Sequence, residues 1–327
     1  VLEKTRRLGL KKLLQRIREQ ANGHATVCSP YTIGFQIAPR INASGRIDHS
    51  SVSYKLLMAE NEEAADDLAA RIELANTNRR TLTDRIVAES LQQVREGTHE
   101  NKIHMVLGKD WPPGVVGLAA GKIVNTFARP AIVASDFHGS IIGSGRSIEG
   151  FDLIAALHEL GDRWFYKYGG HPMACGFTLA SGVLFEEFQN ELTKLVNARL
   201  SDEDVLPRLH IDARLSLHDI SWKLFDELQL LEPFGQKNPQ PNFALFHLKL
   251  HEIMSVGSDK KHLRIKVVSE DGKIVVSGIA FGFGSLADTL VVGDRIDCVA
   301  HLDRNEWNGH RELQLKIIDV KKSQEGE

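Results

Sequence analysis

The chain has 327 residues, of which 42% are hydrophobic and 25% are charged. This composition is typical of a folded globular protein, and the length allows two or three domains with their own cores. The formal net charge of −3 excludes a globally basic protein. Any binding of nucleic acid must therefore depend on local basic patches.

The cysteines, the hydrophobicity and the start of the chain bear on its location and completeness. Cys28, Cys175 and Cys298 lie far apart without a C-x-x-C pair, which argues against a disulfide framework or a cysteine-rich zinc site. No apolar run reaches the roughly 18 residues that a membrane helix needs. We therefore expect a cytoplasmic protein. The opening VLEKTRRLGLKKLL lacks a starting Met and already has a helical pattern, which predicts a fragment of a longer protein.

A long helix is predicted after a first region, 1–60, of short helices around a loop. Asn61 is a good N-cap and is followed by two glutamates, and Gly97 is a plausible stop. Apolar residues recur at helical spacing between them: Leu68, Ile72, Ala75, Leu82, Ile86 and Val94. The polar segment 76–80 interrupts this stripe. It fits either a solvated helix face or a connector between two domains.

Alternating strands and helices follow and predict an α/β domain. Strands are expected at 103–107, 131–134 and 140–143, and helices at 115–127, near 152–160 and at 183–200. Two glycine-rich segments, GSGRS (143–147) and YGGH (168–171), lie between these elements. We expect them to be loops in which the backbone can approach a ligand closely.

The last third of the chain is predicted to be nearly all strand. A linker (202–207), a short helical stretch and the turn-rich segment 231–243 precede five stretches of alternating apolar residues: Phe246–Leu250, Leu263–Val267, Ile274–Val276, Ile296–Leu302 and Leu313–Ile317. Asn308-Gly309 is a strong hairpin signal. Five short strands predict a small barrel of the OB type, a fold that commonly binds single strands or oligosaccharides.

Two segments of the α/β domain could carry chemistry. Gly169 and Gly170 free the backbone, and His171 can donate to an oxyanion or a phosphate. A structural turn with a packed histidine fits this segment as well. Arg146 and Ser147 follow two glycines, where a guanidinium and a hydroxyl suit a phosphate. The alternative there is a hairpin turn with a surface arginine.

A basic strip is predicted on one strand of the barrel. Lys260 and Lys261 precede the strand, and Arg264 and Lys266 lie on the face opposite its apolar residues. Such a strip can follow a phosphate backbone, with His262 and Trp307 offering stacking surfaces. The alternative is an ordinary solvent-facing sheet.

Five ordered motifs together resemble the RecJ exonucleases, and the resemblance covers essentially the whole chain. The motifs are PRINASGR (39–46), DWPPGVVGLAAGKI (110–123), GRSIEGFDLIAAL (145–157), GGHPMACGFTL (169–179) and LEPFGQKNPQPNFAL (231–245). Each is weak alone. Their common order and spacing make the resemblance specific.

The resemblance implies an α/β DHHA1 domain plus an all-β OB-type barrel, joined to a long connecting helix. Residues 1–60 are then the end of a DHH domain, 61–99 the connecting helix, 100–200 the DHHA1 domain, and 205–322 a helical bridge with the OB domain. In this family the DHH domain holds two divalent metal ions, Mn²⁺ or Mg²⁺. Its metal motifs are not in this sequence, and Asp48-His49 is interpreted as coincidental, so no metal ligand is expected in this chain.

The resemblance also implies site residues. His171 matches the family's catalytic histidine beside the scissile phosphate. The substrate phosphate-binding residues that it implies are Arg146, Ser147, Gly169, Gly170, Arg40, Asn42 and Arg46. One departure is Pro112, where many relatives have a histidine after the tryptophan. Another is Cys175, where alanine is frequent and which we interpret as a small buried residue rather than a nucleophile.

The function implied is a single-stranded-DNA-specific 5′–3′ exonuclease of DNA repair and recombination. Single-stranded DNA is the implied partner, with single-stranded-DNA-binding protein and a helicase as protein partners and no membrane. Because the metal motifs are missing, we expect this chain alone to be inactive. Two alternatives stay open. One is a non-catalytic module that binds single strands; the other is a DHHA1-type oligonucleotide phosphodiesterase, which the OB segment argues against.

Overall fold

The computed structural model describes residues 2–20, 29–47, 49–97, 100–257, 259–307 and 309–324. The chain divides into an N-terminal unit, Val1–Pro207, and a C-terminal unit, Arg208–Glu327. Cys28, Asp48, Asn308 and the side chain of Trp307, all named above, lie outside the described part.

The N-terminal unit begins with short helices, as predicted. They share a small core that includes the fully buried Leu13 and Leu56. Their bounds are α1 (Leu8–Gln20), a π-helical segment (Thr32–Ile37), α2 (Ala38–Ile47) and α3 (Ser51–Leu57).

The long helix α4 spans Glu62–Glu96 and ends at Gly97. The Asn61 side chain accepts a hydrogen bond of 2.8 Å from the Ala64 amide, which confirms the predicted N-cap. Ile72 of α4 packs with the short helices, whereas Ile86 packs in the core of the α/β region. The helix therefore contributes to two cores. No helix in the described part of the chain is long and apolar enough to cross a membrane.

The α/β region is built on one sheet with helices on both faces. Its elements are β1 (His104–Lys109), α5 (Pro113–Phe127), β2 (Ala131–Phe137), β3 (Ser140–Arg146), α6 (Leu153–Leu160), β4 (Phe165–His171), β5 (Ala174–Leu179) and α7 (Phe185–Arg199). The described strands have the order β1-β2-β3-β5-β4. Strands β1 and β2 are parallel and the other pairs are antiparallel. Helix α5 packs on one face through its Val and Ala side chains, and α6 and α7 pack on the other.

The two glycine-rich segments are strands, so the loop prediction was wrong. Residues 143–146 of GSGRS form the end of β3 and YGGH forms the end of β4, on either side of β5. Gly143 pairs with Phe177 of β5, and a Cβ at Gly143 would lie 2.2 Å from the Phe177 ring. The glycine makes room for that ring in the sheet core.

The C-terminal unit has the predicted five-stranded closed barrel. Its elements are β6 (Ala213–Arg214), α8 (Trp222–Gln229), β7 (Phe243–Val256), β8 (His262–Val268), β9 (Val275–Ala280), β10 (Arg295–Trp307) and β11 (His310–Lys322). The sheet order is β10-β11-β9-β8-β7-β6, and β10 also pairs with β7, which closes the barrel. The residues buried in its core include Leu245, Leu250, Leu263, Val267 and Ala300.

The first residue of the alternating apolar stretch Phe246–Leu250 is exposed. Phe246 is 38% exposed, and Leu245 is buried in its place. The pairing of β7 with β10 shifts between Ile296 and Cys298, and His247 has a φ of 54°. Such an irregularity changes which residues of a strand face the core.

Candidate phosphate-binding face

Arg146 and His171 occupy one row of the sheet. Arg146 ends β3 and His171 ends β4, and both pair with Ala174 of the intervening strand β5. Directly paired residues of antiparallel strands direct their side chains to the same face. With strands about 4.8 Å apart, the two Cα atoms are roughly 10 Å apart. The sheet therefore brings together two residues that are 25 positions apart in sequence.

Helix α5 covers only part of this face of the sheet. Helix α5 packs over β1, β2 and β3, whereas Gly169, His171 and Gly176 on β4 and β5 are exposed. Gly170 lies on the other side of β4, and a Cβ there would come within 2.3 Å of the Ala174 carbonyl oxygen. A ligand can therefore approach β4 and β5 beside the end of β3.

The Arg146 guanidinium is held against α5. Its Nη1 donates to Ser144 Oγ at 3.1 Å and to the Gly145 carbonyl at 2.7 Å. Its Nη2 lies so close to Gly117 that a Cβ there would be 2.9 Å away. Burial lowers the pKa of Arg146, and the charge of Arg46 lowers it further. The structure records no ion pair for Arg146 within residues 100–257.

Arg46 approaches the same helix one turn earlier. Its Nη1 donates to the Gly114 carbonyl at 2.9 Å, and a Cβ at Gly114 would lie 2.3 Å from the Arg46 carbonyl oxygen. Gly114 and Gly117 are three residues apart and share a face of α5. The small residues of α5 thus bring two arginines from separate motifs close enough for their charges to interact.

Asn42 and Arg46 also line a cavity of about 550 Å³ at α2 and α3. The Asn42 side chain is exposed, and the cavity wall includes Ser50, Ser53 and Tyr54. Asn42 is therefore free to contact a ligand from α2.

Arg40 and Ser147 have structural contacts instead. Arg40 is 8% exposed and donates from Nε to Glu73 at 2.7 Å and from Nη2 to Gln20 at 2.7 Å. Ser147 is 4% exposed, and its hydroxyl donates to the Phe151 carbonyl at 2.7 Å. Both were expected to bind phosphate. Because their donors are buried and already satisfied, these contacts favour structural roles.

Cys175 is the small buried residue that the sequence suggested. It lies on the core side of β5, and burial raises the pKa of its thiol to about 11. A thiol with that pKa is almost entirely protonated near neutral pH, which makes it a poor nucleophile.

The basic strip of the barrel is partly neutralised. Leu263, Ile265 and Val267 face the core, as predicted, while Arg264 and Lys266 face outward. Lys266 pairs with Glu252 at 3.0 Å and Lys261 with Asp259 at 2.7 Å. Arg264 contacts the Met254 sulfur at 3.6 Å, and Lys260 is exposed. Neither has an ion pair among residues 208–257 and 259–307.

Sequence reasoning missed the apolar wall beside this strip. A cavity of about 770 Å³ is lined by Arg264 together with Met254, Ile279 and Phe281. Met254 and Phe281 are 52% and 56% exposed. The pairing of Arg264 with both Met254 and Ile279 places these residues on one outer face. The exposed aromatic just after an apolar strand was the available signal.

The described residues do not fit a metal centre. No three His, Cys, Asp or Glu side chains among them come together to hold a metal ion. Two-metal hydrolysis requires several such ligands. We therefore assign no metal-dependent step to this chain's residues.

Comparison with known proteins matches both units. Residues 99–202 match the DHHA1 domain model, and residues 211–319 match the RecJ OB domain model. The chain contains a DHHA1 domain and a RecJ OB domain. This confirms the fold expected from the resemblance.

The matched relatives are RecJ exonucleases. The chain is 34% identical over 321 residues to the single-stranded-DNA-specific exonuclease RecJ of Bacillus subtilis, covering 98% of this chain and 40% of that protein. It is 32% identical to RecJ of Escherichia coli, covering 96% and 54%. A crystal structure of RecJ with Mg²⁺ from Thermus thermophilus superimposes with a TM-score of 0.81 at 26% identity, covering 99% and 47%. The chain spans about half the length of these relatives.

The Arg40–Glu73 pair yields a stability prediction. Burial raises the pKa of Glu73, but hydrogen bonds from Arg40 and Gln20 outweigh it, so the net pKa is lowered. Because both side chains are largely buried, Arg40→Ala should reduce the free energy of unfolding by about 3 kcal/mol. Arg46→Ala, which loses a bond to a carbonyl only, is the control and should cost much less.

The pH dependence follows from the lowered pKa. A carboxylate with a lowered folded-state pKa stabilises above its unfolded pKa, and this contribution is lost as pH falls through the folded value. The destabilisation by Arg40→Ala should therefore shrink between neutral pH and strongly acidic pH, measured by urea unfolding. A cost independent of pH, or equal to that of Arg46→Ala, would contradict the pair's role.

Proposed function

We propose that this chain provides the DNA-binding surfaces of a RecJ-type, single-stranded-DNA-specific exonuclease. The observation that carries the proposal is the row formed by Arg146, Ala174 and His171, with its open side over β4 and β5. Two half-buried arginines without a described acidic partner suit an anionic ligand. The domain matches and the RecJ relatives support the same class of ligand.

The residues of this face position a phosphate in the proposal. Arg146 and Arg46 contact phosphate oxygens and offset their charge. Gly169 has no side chain, which lets the DNA strand approach β4. His171 lies nearest the scissile phosphate, as the resemblance implies, and holds it by hydrogen bonding. Arg40 and Ser147 support the surrounding structure.

The nucleophile comes from elsewhere in this proposal. RecJ of Thermus thermophilus has been solved with Mg²⁺ and with Mn²⁺, and we place the corresponding ions in a DHH domain outside this sequence. When bound, such ions activate a water molecule and stabilise the leaving oxygen. The proposed polarity is 5′ to 3′, in DNA repair and recombination in the cytoplasm, with single-stranded-DNA-binding protein and a helicase as partners.

The leading alternative is a non-catalytic module that binds single strands. The OB domain with its exposed Phe281 and Met254 favours it, because OB barrels bind strands without cleaving them. A DHHA1-type oligonucleotide phosphodiesterase is a second alternative. Under the proposal, the chain supports cleavage of DNA only when a metal-binding DHH domain is present. Measuring cleavage with and without that domain therefore separates the proposal from both alternatives.

Our first functional prediction concerns binding without cleavage. The 327-residue chain should bind 5′-phosphorylated oligo-dT and release no nucleotides in Mn²⁺, because its described residues form no cluster of metal ligands. Arg146→Ala should weaken binding about tenfold, the effect of losing one charge-assisted hydrogen bond. His171→Ala should change binding less than about threefold, since its role lies in cleavage.

Arg95→Ala is the matched control for this measurement, because Arg95 is an exposed arginine of the last turn of α4. Fluorescence anisotropy gives the affinities, and gel analysis of labelled DNA gives cleavage. Nucleotide release by the pure chain would overturn the domain assignment. Equal binding by the Arg146→Ala and Arg95→Ala variants would contradict the proposal that Arg146 binds phosphate.

The second prediction concerns the barrel, which we propose provides most of the affinity for the body of the strand. Arg264 has no described ion pair, whereas Lys266 is paired with Glu252. Each neutralised phosphate of a single strand contributes about −0.7 to the slope of log affinity against log salt. Arg264→Ala should therefore flatten that slope by about 0.7, and Lys266→Ala, the control on the same strand, by clearly less.

A salt titration of oligo-dT binding tests this. If both variants keep the wild-type slope and affinity, the strip is only a solvated sheet face. Phe281→Ala should weaken binding about tenfold without changing the slope, because stacking on one aromatic ring contributes affinity but no ion release.

A further inference from the structure

Arg79 of helix α4 is an arginine with unsatisfied donors. Its Nη2 donates to Asn76 Oδ1 at 3.1 Å, and Asn76 is 3% exposed. Its Nε is buried and has no hydrogen-bond partner in the described part of the chain. One helical turn later, the Thr83 hydroxyl is also buried without a partner there. Residues four apart share a helix face, so two unmet polar groups lie side by side.

The charge of Arg79 is not neutralised by an ion pair within residues 29–47, 49–97 and 100–257. Burial lowers its pKa, and the charge of Arg46 lowers it further. Asp84 on the same helix offsets part of this effect. By contrast, Arg40 is paired with Glu73, also on α4, at 2.7 Å. Arg40 is thus neutralised by an acidic residue of α4, whereas Arg79 on the same helix has no such partner in these ranges.

Arg79 on α4 adds a third arginine to Arg46 and Arg146, the two arginines that contact α5. Arg46 interacts electrostatically with both Arg79 and Arg146. The three arginines belong to α2, α4 and β3, so three separate elements bring like charges together. Like charges disfavour one another unless an anion lies among them. Unmet donors at the same place indicate where an anion would be bound.

We propose that Arg79, with Thr83, binds a second phosphate of the nucleic-acid strand, next to the phosphate bound by Arg146. The inference rests on the proposed function. A guanidinium with free donors and a neighbouring hydroxyl is the donor set that proteins use for backbone phosphates, independent of base sequence. Because α4 packs in two cores, a contact with Arg79 would hold the nucleic-acid strand at a defined place on the protein.

The test compares Arg79→Ala with Arg80→Ala, since Arg80 is the next residue and is exposed. Binding of 5′-phosphorylated oligo-dT by the 327-residue chain is measured over a range of NaCl concentrations. Arg79→Ala should weaken binding about tenfold at low salt and flatten the salt slope by about 0.7. Arg80→Ala should stay within about twofold of wild type. If the two variants behave alike, the inference is wrong.

The failure of the proposed function can be distinguished from the failure of this inference. Binding lost in Arg146→Ala but unchanged in Arg79→Ala leaves the proposed function standing and overturns the Arg79 site. The double variant should flatten the slope by about 1.4 if two separate phosphates are bound. A double variant no different from Arg146→Ala would mean one shared phosphate, which contradicts the inference.

If the wild-type chain binds no oligonucleotide, binding of pyrophosphate tests the anion site instead. Its effect on the melting temperature is measured for wild type, Arg79→Ala and Arg80→Ala, each first shown to unfold cooperatively. A smaller rise for Arg79→Ala than for the other two supports an anion site at α4. Equal rises in all three proteins contradict it.

Discussion

The pairing of β5 with both β3 and β4 is the constraint on which the candidate site depends. Ala174 faces Arg146 on one side and His171 on the other. A slip of one residue in either pairing would move one of these side chains to the opposite face of the sheet. Gly143 helps to fix the register, because its missing side chain leaves room for Phe177 in the sheet core. The candidate phosphate-binding face is thus a consequence of core packing.

The distribution of ion pairs separates arginines and lysines that are neutralised within the protein from those that we propose to bind phosphate. Arg40 is paired with Glu73 and buried, whereas Arg46, Arg79 and Arg146 have no described acidic partner. The barrel repeats this contrast, since Lys266 is paired and Arg264 is not. A cation already neutralised within the protein gains little from a phosphate. In a protein with no excess positive charge, the cations without an ion pair are therefore the better candidates for binding phosphate.

Much of the fold could be predicted from local sequence signals. Asn61 and Gly97 marked the ends of α4, and alternation marked all five barrel strands. Strands β4 and β5 were not predicted, because glycines usually indicate loops in a sequence. Only the pairing of the strands shows why glycines are accommodated at these positions. For the same reason, the alternation could not show the irregularity that exposes Phe246.

The site was predictable only in part, because its contacts are non-local. The motifs indicated Arg146 and His171 but could not show that one strand joins them. Arg40 and Arg46 looked equivalent in PRINASGR, and only the fold places Glu73, 33 residues away, against the first of them. Arg79 lay in a polar segment that a solvated helix would also explain. Its buried Nε is visible only in three dimensions.

The central claim is that a backbone phosphate binds at the end of β3 and β4. The most direct measurement is a crystal structure of this chain with a short 5′-phosphorylated oligo-dT. The account predicts a phosphate within hydrogen-bonding distance of the Arg146 guanidinium and on the same side of the sheet as His171. A strand bound only to the barrel, with no phosphate beside Arg146, would contradict it.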